Sequence, residues 1–307
     1  INQQWGLSTE HRIVYSKGIH LVVPRLTTTR HDRVLAFFDD SQRLFYVIPM
    51  AHRSVIGTTD TRTDIVDEGV TDEDRAFLLE QINARLDLDH PLTVDDIISE
   101  RSGVRPLVVL NDGDDRTDID WTSLSRKHEV ETDAERKLVT IFGGKLTDCL
   151  NVGDEVVEAL DDLGVAVDGA RRSWYGEAGA EARDRFLAAA AAVGLDRPPE
   201  IEREETMAAV LWRRHGEAAH AVIEAIAADP AQADSVMAES DLLKGELALY
   251  ADREMIVTFD DFLRRRTKLA MLHRPETLAD EPGLKEARAL LVPDRRTDDR
   301  AAPGQTT

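Results

Sequence analysis

Hydrophobic and polar positions change their spacing near residue 170. Before that point, short apolar runs rich in β-branched and aromatic residues predict strands at 19–24, 33–38, 44–49 and 53–58. Further runs predict strands at 97–109, 125–131 and 138–142, with Gly103 and Pro106 interrupting the first of these. Because short polar turns join the early runs, they indicate a meander of antiparallel sheet.

Two helices break the strand pattern. Thr71 is a typical N-cap followed by acidic residues, and apolar residues at helical spacing predict a helix from there to about residue 86. A second helix, at about 147–163, follows the last strand and the paired glycines Gly143 and Gly144. Strand, glycine pair and helix start together direct backbone N–H groups and a positive dipole end toward a ligand.

After residue 171 the strand pattern ends, and alanine-rich segments predict an all-helical domain. The predicted helices lie at 180–193, 201–215, 218–228, 240–254 and 259–272. We therefore divide the chain into a first domain at 1–170, a helical C-terminal domain at 171–290 and a disordered tail at 291–307. The fold class is α+β with an additional all-α domain.

Composition restricts the function. The 307 residues carry 59 acidic and 38 basic side chains, a net charge of −21, which argues against nucleic acid or an anionic lipid surface as the main partner. The single cysteine, Cys149, excludes an intrachain disulfide, and no apolar run reaches the roughly 18 residues of a membrane-spanning helix. The chain begins with Ile1 and shows no signal-peptide pattern, so we expect an N-terminally truncated sequence.

The polar motifs are weak indicators when each is taken alone. The sequence Gly143-Gly144-Lys145 is more often a structural turn than a ligand loop, and residues 57–60 fit a capped turn as well as a cavity lining. A guanidinium in an apolar segment needs a partner, which for Arg105 or Arg126 is either a structural carboxylate or an anionic substrate.

The histidines give no clear indication of a site. His20 alternates with apolar neighbours, and a histidine in the core or at its rim is the simplest interpretation. The nine histidines and the cysteine show no zinc-binding spacing, so we predict no metal site, and P-loop, GxGxxG and GxSxG motifs are absent from the sequence.

Read in order, the motifs resemble the C-terminal half of the FAD-dependent, aerobic-type glycerol-3-phosphate dehydrogenases. The resemblance covers roughly residues 10–275, and its ordered motifs together are far more specific than any one of them. The matching segments are SKGIHLVVPR at 16–25, IPMAHRSVIGTTDT at 48–61, SGVRPL at 102–107, SRKHEV at 125–130, FGGKLT at 142–147 and YADREMIVTFDDFLRRRTKLAML at 250–272.

This resemblance implies both a fold and an activity. Residues 1–170 would combine an incomplete FAD-binding α/β domain with an antiparallel substrate-binding sheet. The activity implied is oxidation of sn-glycerol 3-phosphate to dihydroxyacetone phosphate, with hydride passing to FAD and electrons to a quinone, or to oxygen in the oxidase branch. The resemblance further implies a cytoplasmic protein bound peripherally to the inner face of the cytoplasmic membrane, and it allows a homodimer.

The resemblance also assigns residues. Arg105 would lie beside the reacting hydroxyl, Arg126 would bind the substrate phosphate, Lys145 would contact both flavin and phosphate, and His20 would take part in proton transfer. The positions that would line the cofactor are Gly57, Thr58, Thr59, Asp60, Gly143, Gly144, Lys145, Leu146 and Thr147.

Two departures from the family pattern affect this assignment. The family usually continues the GGKLT motif with T-Y-R, whereas Asp148-Cys149-Leu150 stand here. The glycine-rich loop that anchors the FAD pyrophosphate precedes Ser16 in the family and is absent. We therefore expect FAD binding to need a missing N-terminal FAD-binding segment, and this fragment alone to be inactive.

Two alternatives stay open. A related flavin amine or amino-acid oxidase would share the glycine-pair loop but would not need several cations for a phosphate. A non-catalytic helical interaction module would use apolar side chains of the C-terminal domain as a docking face, although such helical spacing is more typical of an internal core. The side chains in question are Leu211, Trp212, Leu243 and Phe262.

Overall fold

The computed structural model describes residues 2–26, 33–38, 44–111, 127–167, 178–198 and 205–292. The strands are β1 (His11–Pro24), β2 (Leu35–Phe38), β3 (Leu44–Met50), β4 (Arg53–Gly57), β5 (Thr61–Thr63), β6 (Ser99–Leu110), β7 (His128–Asp133) and β8 (Leu138–Gly143). The α-helices are α1 (Asp72–Arg85), α2 (Cys149–Asp162), α3 (Ala180–Ala192), α4 (Met207–His215), α5 (His220–Ala228), α6 (Leu247–Arg253), α7 (Leu269–Leu272), α8 (Pro275–Asp280) and α9 (Pro282–Leu291). A π-helical turn occupies Asp261–Arg266.

The main sheet is antiparallel and built around β1. On one side β1 pairs with β4 near its C-terminal end and with β5 at Tyr15–Lys17, while β3 and β2 continue the sheet beyond β4. On the other side β6 pairs with β1 over twelve positions, from His11–Leu110 to Val22–Ser99. The predicted meander is confirmed for β2, β3 and β4, and β7 with β8 forms a separate hairpin.

The predicted interruption of the strand at Gly103 and Pro106 is wrong, because β6 is continuous. Among the described strands β6 pairs only with β1, so it is an edge strand, where a proline without an N–H group is tolerated. Gly103 pairs with another glycine, Gly18, and the ladder passes through both. The two long strands therefore run side by side without a break.

The hydrophobic core of the sheet lies on the face that α1 covers. Ile19, Leu21 and other buried residues of the sheet pack against Leu78 and Ile82 of α1. Thr71 caps this helix in a capping box with Asp74, as predicted. Neighbouring residues of a strand point to opposite faces, so the even-numbered residues of β1 point to the face of the sheet away from α1.

Lys17 adds an ionic tie between β1 and α1. Its ammonium lies 2.8 Å from Asp74 and 3.3 Å from Glu68, and the side chain is buried. Burial alone would lower the pKa of Lys17, but the hydrogen bonds and charges of these two carboxylates outweigh it and raise the pKa. Lys17 and Asp74 therefore stay ionised, and their ion pair holds β1 against α1.

The C-terminal region is helical, as predicted, and has its own apolar clusters. Leu211, Leu243 and Phe262 are buried inside them and Trp212 packs against one, so these residues form core rather than a docking face. The helical segment predicted at 240–254 shortens to a 3₁₀ turn and α6, and the segment at 259–272 becomes the π-helical turn and α7. Among the described residues, no helix is long and apolar enough to cross a bilayer.

The predicted domain limits fall close to the edges of the described residues. The boundary at 170 lies within 168–177, and most of the predicted tail lies within 293–307; both stretches are outside the residues that the structure describes. Leu291 is the last residue of α9 and is buried, so the helical region continues one residue beyond the predicted 290.

Candidate active site

A cavity of about 910 Å³ lies between the main sheet and the C-terminal helical region. Strand alternation places Gly18 and His20 on the sheet face opposite α1, and the register places Gly103 and Arg101 directly across from them on β6. Residues of the helical region close the other side. The side chains from that region are Arg264, Arg265, Thr267, Lys268, Ala270 and Met271.

Arg105 is held across the sheet by the turn that follows β4. Its Nη2 donates to Thr58 Oγ1 at 2.8 Å, and its Nη1 donates to the Thr59 carbonyl at 3.2 Å. The carboxylate of Asp60 lies 3.9 Å from the same guanidinium. The guanidinium lies directly over Gly18, where an added Cβ would collide with it. The bare backbone at this position is therefore what allows Arg105 to lie there.

The turn at 57–60 is itself fixed to β1. Ser16 Oγ donates a hydrogen bond to the Asp60 carboxylate, and the Ile19 N–H donates to Thr59 Oγ1 at 3.0 Å. Thr59 is only 2% exposed. The turn thus lies behind Arg105 and supports it, and the predicted contact of Gly57, Thr58, Thr59 and Asp60 with the cofactor stays a prediction.

His20 lies beside Arg105 on the cavity wall. Its ring packs against Gly57, where an added Cβ would come within 2.7 Å of the ring, and φ at Gly57 is 154°. Burial lowers the pKa of His20, and the positive charges of Arg105 and Arg101 lower it further. The imidazole is therefore mainly neutral at pH 7 and able to accept a proton.

The cavity lining is cationic although the whole chain carries a charge of −21. Glu100, a carboxylate in the lining, is neutralised by Arg75, which donates two hydrogen bonds to it at 2.7 Å. Arg264 and Arg265 are partly balanced by Asp260 and Asp261. The cations of the lining are Arg101, Arg105, Arg264, Arg265 and Lys268.

Four of these cations were not predicted to belong to the site. Arg264, Arg265 and Lys268 lie in the segment that carried the helical resemblance, but sequence alone did not indicate that this segment faces β6. Arg101 could have been found from the register, since it lies across from His20. Arg126 falls within 112–126, outside the described residues, so its predicted phosphate contact stays a prediction.

The paired-glycine turn lies on the other side of β6. Gly143 has φ of 63° and packs on Val108, whose side chain an added Cβ would strike, while Gly144 has φ of 95° and packs on His128. Val108 lies three residues beyond Arg105 and so points to the opposite face of the strand. Packing within this chain therefore already requires these glycines, whatever ligand the turn approaches.

The residues after the glycines are exposed. The turn continues into the start of the helix through three exposed residues, Lys145, Leu146 and Thr147. Leu146 is 91% exposed. Lys145 is not among the residues that line the Arg105 cavity in the described part of the chain. The predicted convergence of Lys145 with Arg105 therefore remains a prediction.

Asp148, which departs from the family pattern, is engaged within this turn. Its carboxylate lies 2.7 Å from His128 Nδ1 and accepts a hydrogen bond from Asn151 at 2.6 Å. Glu155 lies 3.0 Å from the other ring nitrogen. The hydrogen bond to Asp148 and the nearby Glu155 raise the pKa of His128. The aspartate thus supports the hairpin beneath the glycines.

Comparison with protein-family models divides the chain into two matches. Residues 2–143 match the model described as FAD dependent oxidoreductase, and residues 165–284 match the C-terminal domain of alpha-glycerophosphate oxidase. Together the two matches cover the sheet, the hairpin and most of the helical region.

Curated relatives and a solved structure agree with these matches. The mitochondrial glycerol-3-phosphate dehydrogenase of Mus musculus is 30% identical over 145 residues, which are 47% of this chain and 19% of the mouse protein. The aerobic glycerol-3-phosphate dehydrogenase of Staphylococcus haemolyticus is 34% identical over 147 residues, 47% of this chain and 25% of that protein.

The glycerol-3-phosphate dehydrogenase of Bacillus halodurans, solved in complex with FAD, superposes with a TM-score of 0.62 at 26% identity. That superposition covers 91% of this chain and 52% of the Bacillus chain, so this chain spans about half the length of the solved relative.

Proposed function

Because the chain belongs to the FAD-dependent glycerol-3-phosphate dehydrogenase family, we propose that the protein oxidises the C2 hydroxyl of sn-glycerol 3-phosphate to the ketone of dihydroxyacetone phosphate. The observation that carries the proposal is Arg105, held over Gly18 beside a neutral His20 in a cation-lined cavity. The substrate phosphate and the alkoxide that forms during oxidation are both anionic, so this lining favours both.

The chain's own residues have distinct roles in this proposal. Arg105 stabilises the developing negative charge on the C2 oxygen, and His20 accepts the hydroxyl proton as the C–H bond breaks. Arg101 and Lys268 of the cavity lining attract the phosphate. Arg126 is assigned the same role from the motif resemblance alone. FAD, the cofactor of the family, accepts the hydride when it is bound.

The paired-glycine turn would hold the flavin. Backbone N–H groups of Lys145, Leu146 and Thr147 at the helix start suit the negative charge that develops at flavin N1 and O2. The Lys145 ammonium, exposed beside this turn, would add a positive charge next to the flavin. The exposure of these three residues supports this role, because a contact with a ligand needs an accessible turn.

We further propose that electrons pass from the flavin to a membrane quinone, with the protein bound peripherally at the inner face of the cytoplasmic membrane. Anaerobic turnover with a soluble quinone analogue, compared with peroxide formation in air, tests the acceptor. Recovery of the protein with washed membranes, and its release by high salt or mild detergent, tests the location. Faster turnover with oxygen than with quinone would reject a quinone acceptor.

The experiment for the main proposal measures flavin reduction in the full-length protein by anaerobic stopped-flow absorbance. Arg105→Ala should lower the reduction rate by about 10²- to 10³-fold, while the flavin spectrum shows that FAD stays bound. Arg136→Ala, at the exposed β7–β8 turn, is the matched control and should leave the rate unchanged. A wild-type rate in Arg105→Ala would remove this residue from the reaction.

Substrate choice separates this proposal from the amine or amino-acid oxidase alternative. Glycerol 3-phosphate should reduce the flavin, whereas glycerol, amines and amino acids should do so far more slowly. Arg126→Ala should chiefly raise the apparent substrate constant, since a phosphate ligand acts mainly in binding. Reduction by an amino acid at a rate equal to that of glycerol 3-phosphate would contradict the phosphate assignment.

A further inference from the structure

Three potential metal ligands from distant parts of the chain meet at the junction of sheet and helical region. His52 lies in the turn between β3 and β4, Glu239 in the segment before α6, and His273 directly after α7. One ligand atom from each lies within 4.8 Å of the other two. His52 Nε2 is 3.2 Å from the Glu239 carboxylate, and the two imidazole rings are 5.4 Å apart between centroids.

His273 lacks a hydrogen-bond partner at a buried nitrogen. The residue is 3% exposed, and its Nε2 has no partner in the described structure. A buried polar atom without a partner is unusual and calls for an explanation such as an ion.

We propose that His52, Glu239 and His273 bind one divalent first-row transition-metal ion, with Zn²⁺ as the best match to the ligand set. Two imidazoles and one carboxylate are a common protein ligand set for zinc, and water completes a tetrahedral site. The set contains no thiolate and only one carboxylate, so it is a poor match for Ca²⁺ or Mg²⁺, which prefer oxygen ligands.

Arg53 is the group that opposes this ion. Its Nη2 lies 3.5 Å from the Glu239 carboxylate, and its Nε donates to the Leu272 carbonyl at 3.0 Å. A bound cation would compete with the guanidinium for Glu239. We therefore expect Arg53→Gln to bind the metal more tightly than the wild type, because one positive charge beside the ion is removed.

The ion would join two walls of the active-site cavity. Met50, two residues before His52, and Met271, two residues before His273, both line that cavity. Coordination across the junction would fix the β3–β4 turn against the helical region, and so fix the spacing between the sheet and the cations at 264–268. The proposed effect is on the stability of this junction rather than on the chemical step.

The test uses the purified full-length protein, stripped of metal with a chelator and titrated with Zn²⁺ in a calorimeter and with Co²⁺ in a visible spectrophotometer. The wild type should bind one equivalent per chain, give a Co²⁺ absorption band typical of a low-coordinate N/O site, and unfold at a higher temperature with Zn²⁺. His52→Ala, His273→Ala and Glu239→Gln should each weaken binding at least tenfold.

Two features keep the test decisive. Glu239 is 60% exposed on its side chain, so Glu239→Gln should fold even where a histidine variant does not. His90→Ala, at an exposed loop histidine, is the matched control and should bind like the wild type. Absence of saturable binding in the wild type, or equal binding in wild type and Glu239→Gln, would overturn the proposal.

Discussion

The Arg105 cavity and the paired-glycine turn lie on opposite sides of β6 and differ in how far this chain completes them. Arg105 is held by Thr58 and Thr59 over the bare backbone of Gly18, and the helical region forms the opposite wall of the cavity. At the glycine turn, by contrast, α2 has no buried residue among those described. Leu146 is exposed there, and so is Leu150, at 64%.

The difference indicates which half of the site is preassembled. Arg105 is positioned by contacts within the sheet, in the absence of any cofactor. The glycine turn and the start of α2 present an apolar, exposed surface of the kind that packs against another segment. The superposition covers 52% of the solved relative, and the remaining part of such a longer chain is what we expect to cover this surface.

The strongest test of preassembly removes the space under Arg105. Gly18→Ala should reduce the rate of flavin reduction in the full-length protein by about 100-fold, because the added methyl group displaces the guanidinium from the C2 oxygen. Stopped-flow absorbance measures the rate, and far-UV circular dichroism checks the fold.

The matched control is the glycine directly across the ladder. Gly103 pairs with Gly18, and a Cβ there meets nothing within 4 Å. Gly103→Ala should therefore leave the rate close to that of the wild type. Equal losses in both variants would show that a general disturbance of the β1–β6 pairing, and not the displacement of Arg105, lowers the rate.

The second prediction concerns the glycine turn. Gly143→Ala should lower the free energy of unfolding by about 1–3 kcal/mol, because its φ of 63° is costly for alanine and the methyl group strikes Val108. Urea unfolding measures the change. Gly153→Ala, in the open middle of α2, should instead stabilise by about 0.5–1 kcal/mol. A neutral Gly143→Ala would mean that the turn does not pack on β6.

The smallest effect is a pH dependence of the hairpin. The pKa of His128 is raised above its ordinary 6.5, so the protonated ring stabilises the folded state fully below that pH. This contribution is lost as pH rises through the raised value. Asp148→Asn should flatten the fall in unfolding free energy above pH 6.5, as measured by urea titrations at several pH values. An unchanged slope would show that Asp148 does not control the histidine.

Local patterns predicted most of the architecture, and exceptions have physical causes. Thr71 and the acidic first turn marked α1 correctly, because capping depends on neighbours in sequence. The length of β6 was missed, because a proline's effect depends on whether its strand is an edge, which sequence alone did not show. The short helices after residue 240 were overextended, because apolar periodicity does not show where a 3₁₀ or π turn takes over.

Only those site residues that lie in a recognisable sequence motif could be predicted. Arg105 and His20 were named from the resemblance, and the structure brings them into one cavity. Arg264 and Lys268 were missed because their closeness to β6 arises from the packing of the helical region against the sheet. The proposed metal ligands His52, Glu239 and His273 show no metal-binding spacing for the same reason, because three separate segments meet only in the folded chain.

The pairing of β1 limits how this protein can change over evolution. Gly18 and His20 line the cavity, while Lys17 and Ile19 point toward α1, so inserting or deleting one residue would exchange the two sets. A substitution in this strand changes one side chain, whereas a change of length moves every later side chain of the strand to the wrong face. Sequences of distant homologues should therefore place their gaps elsewhere, for instance in the exposed turn between β7 and β8.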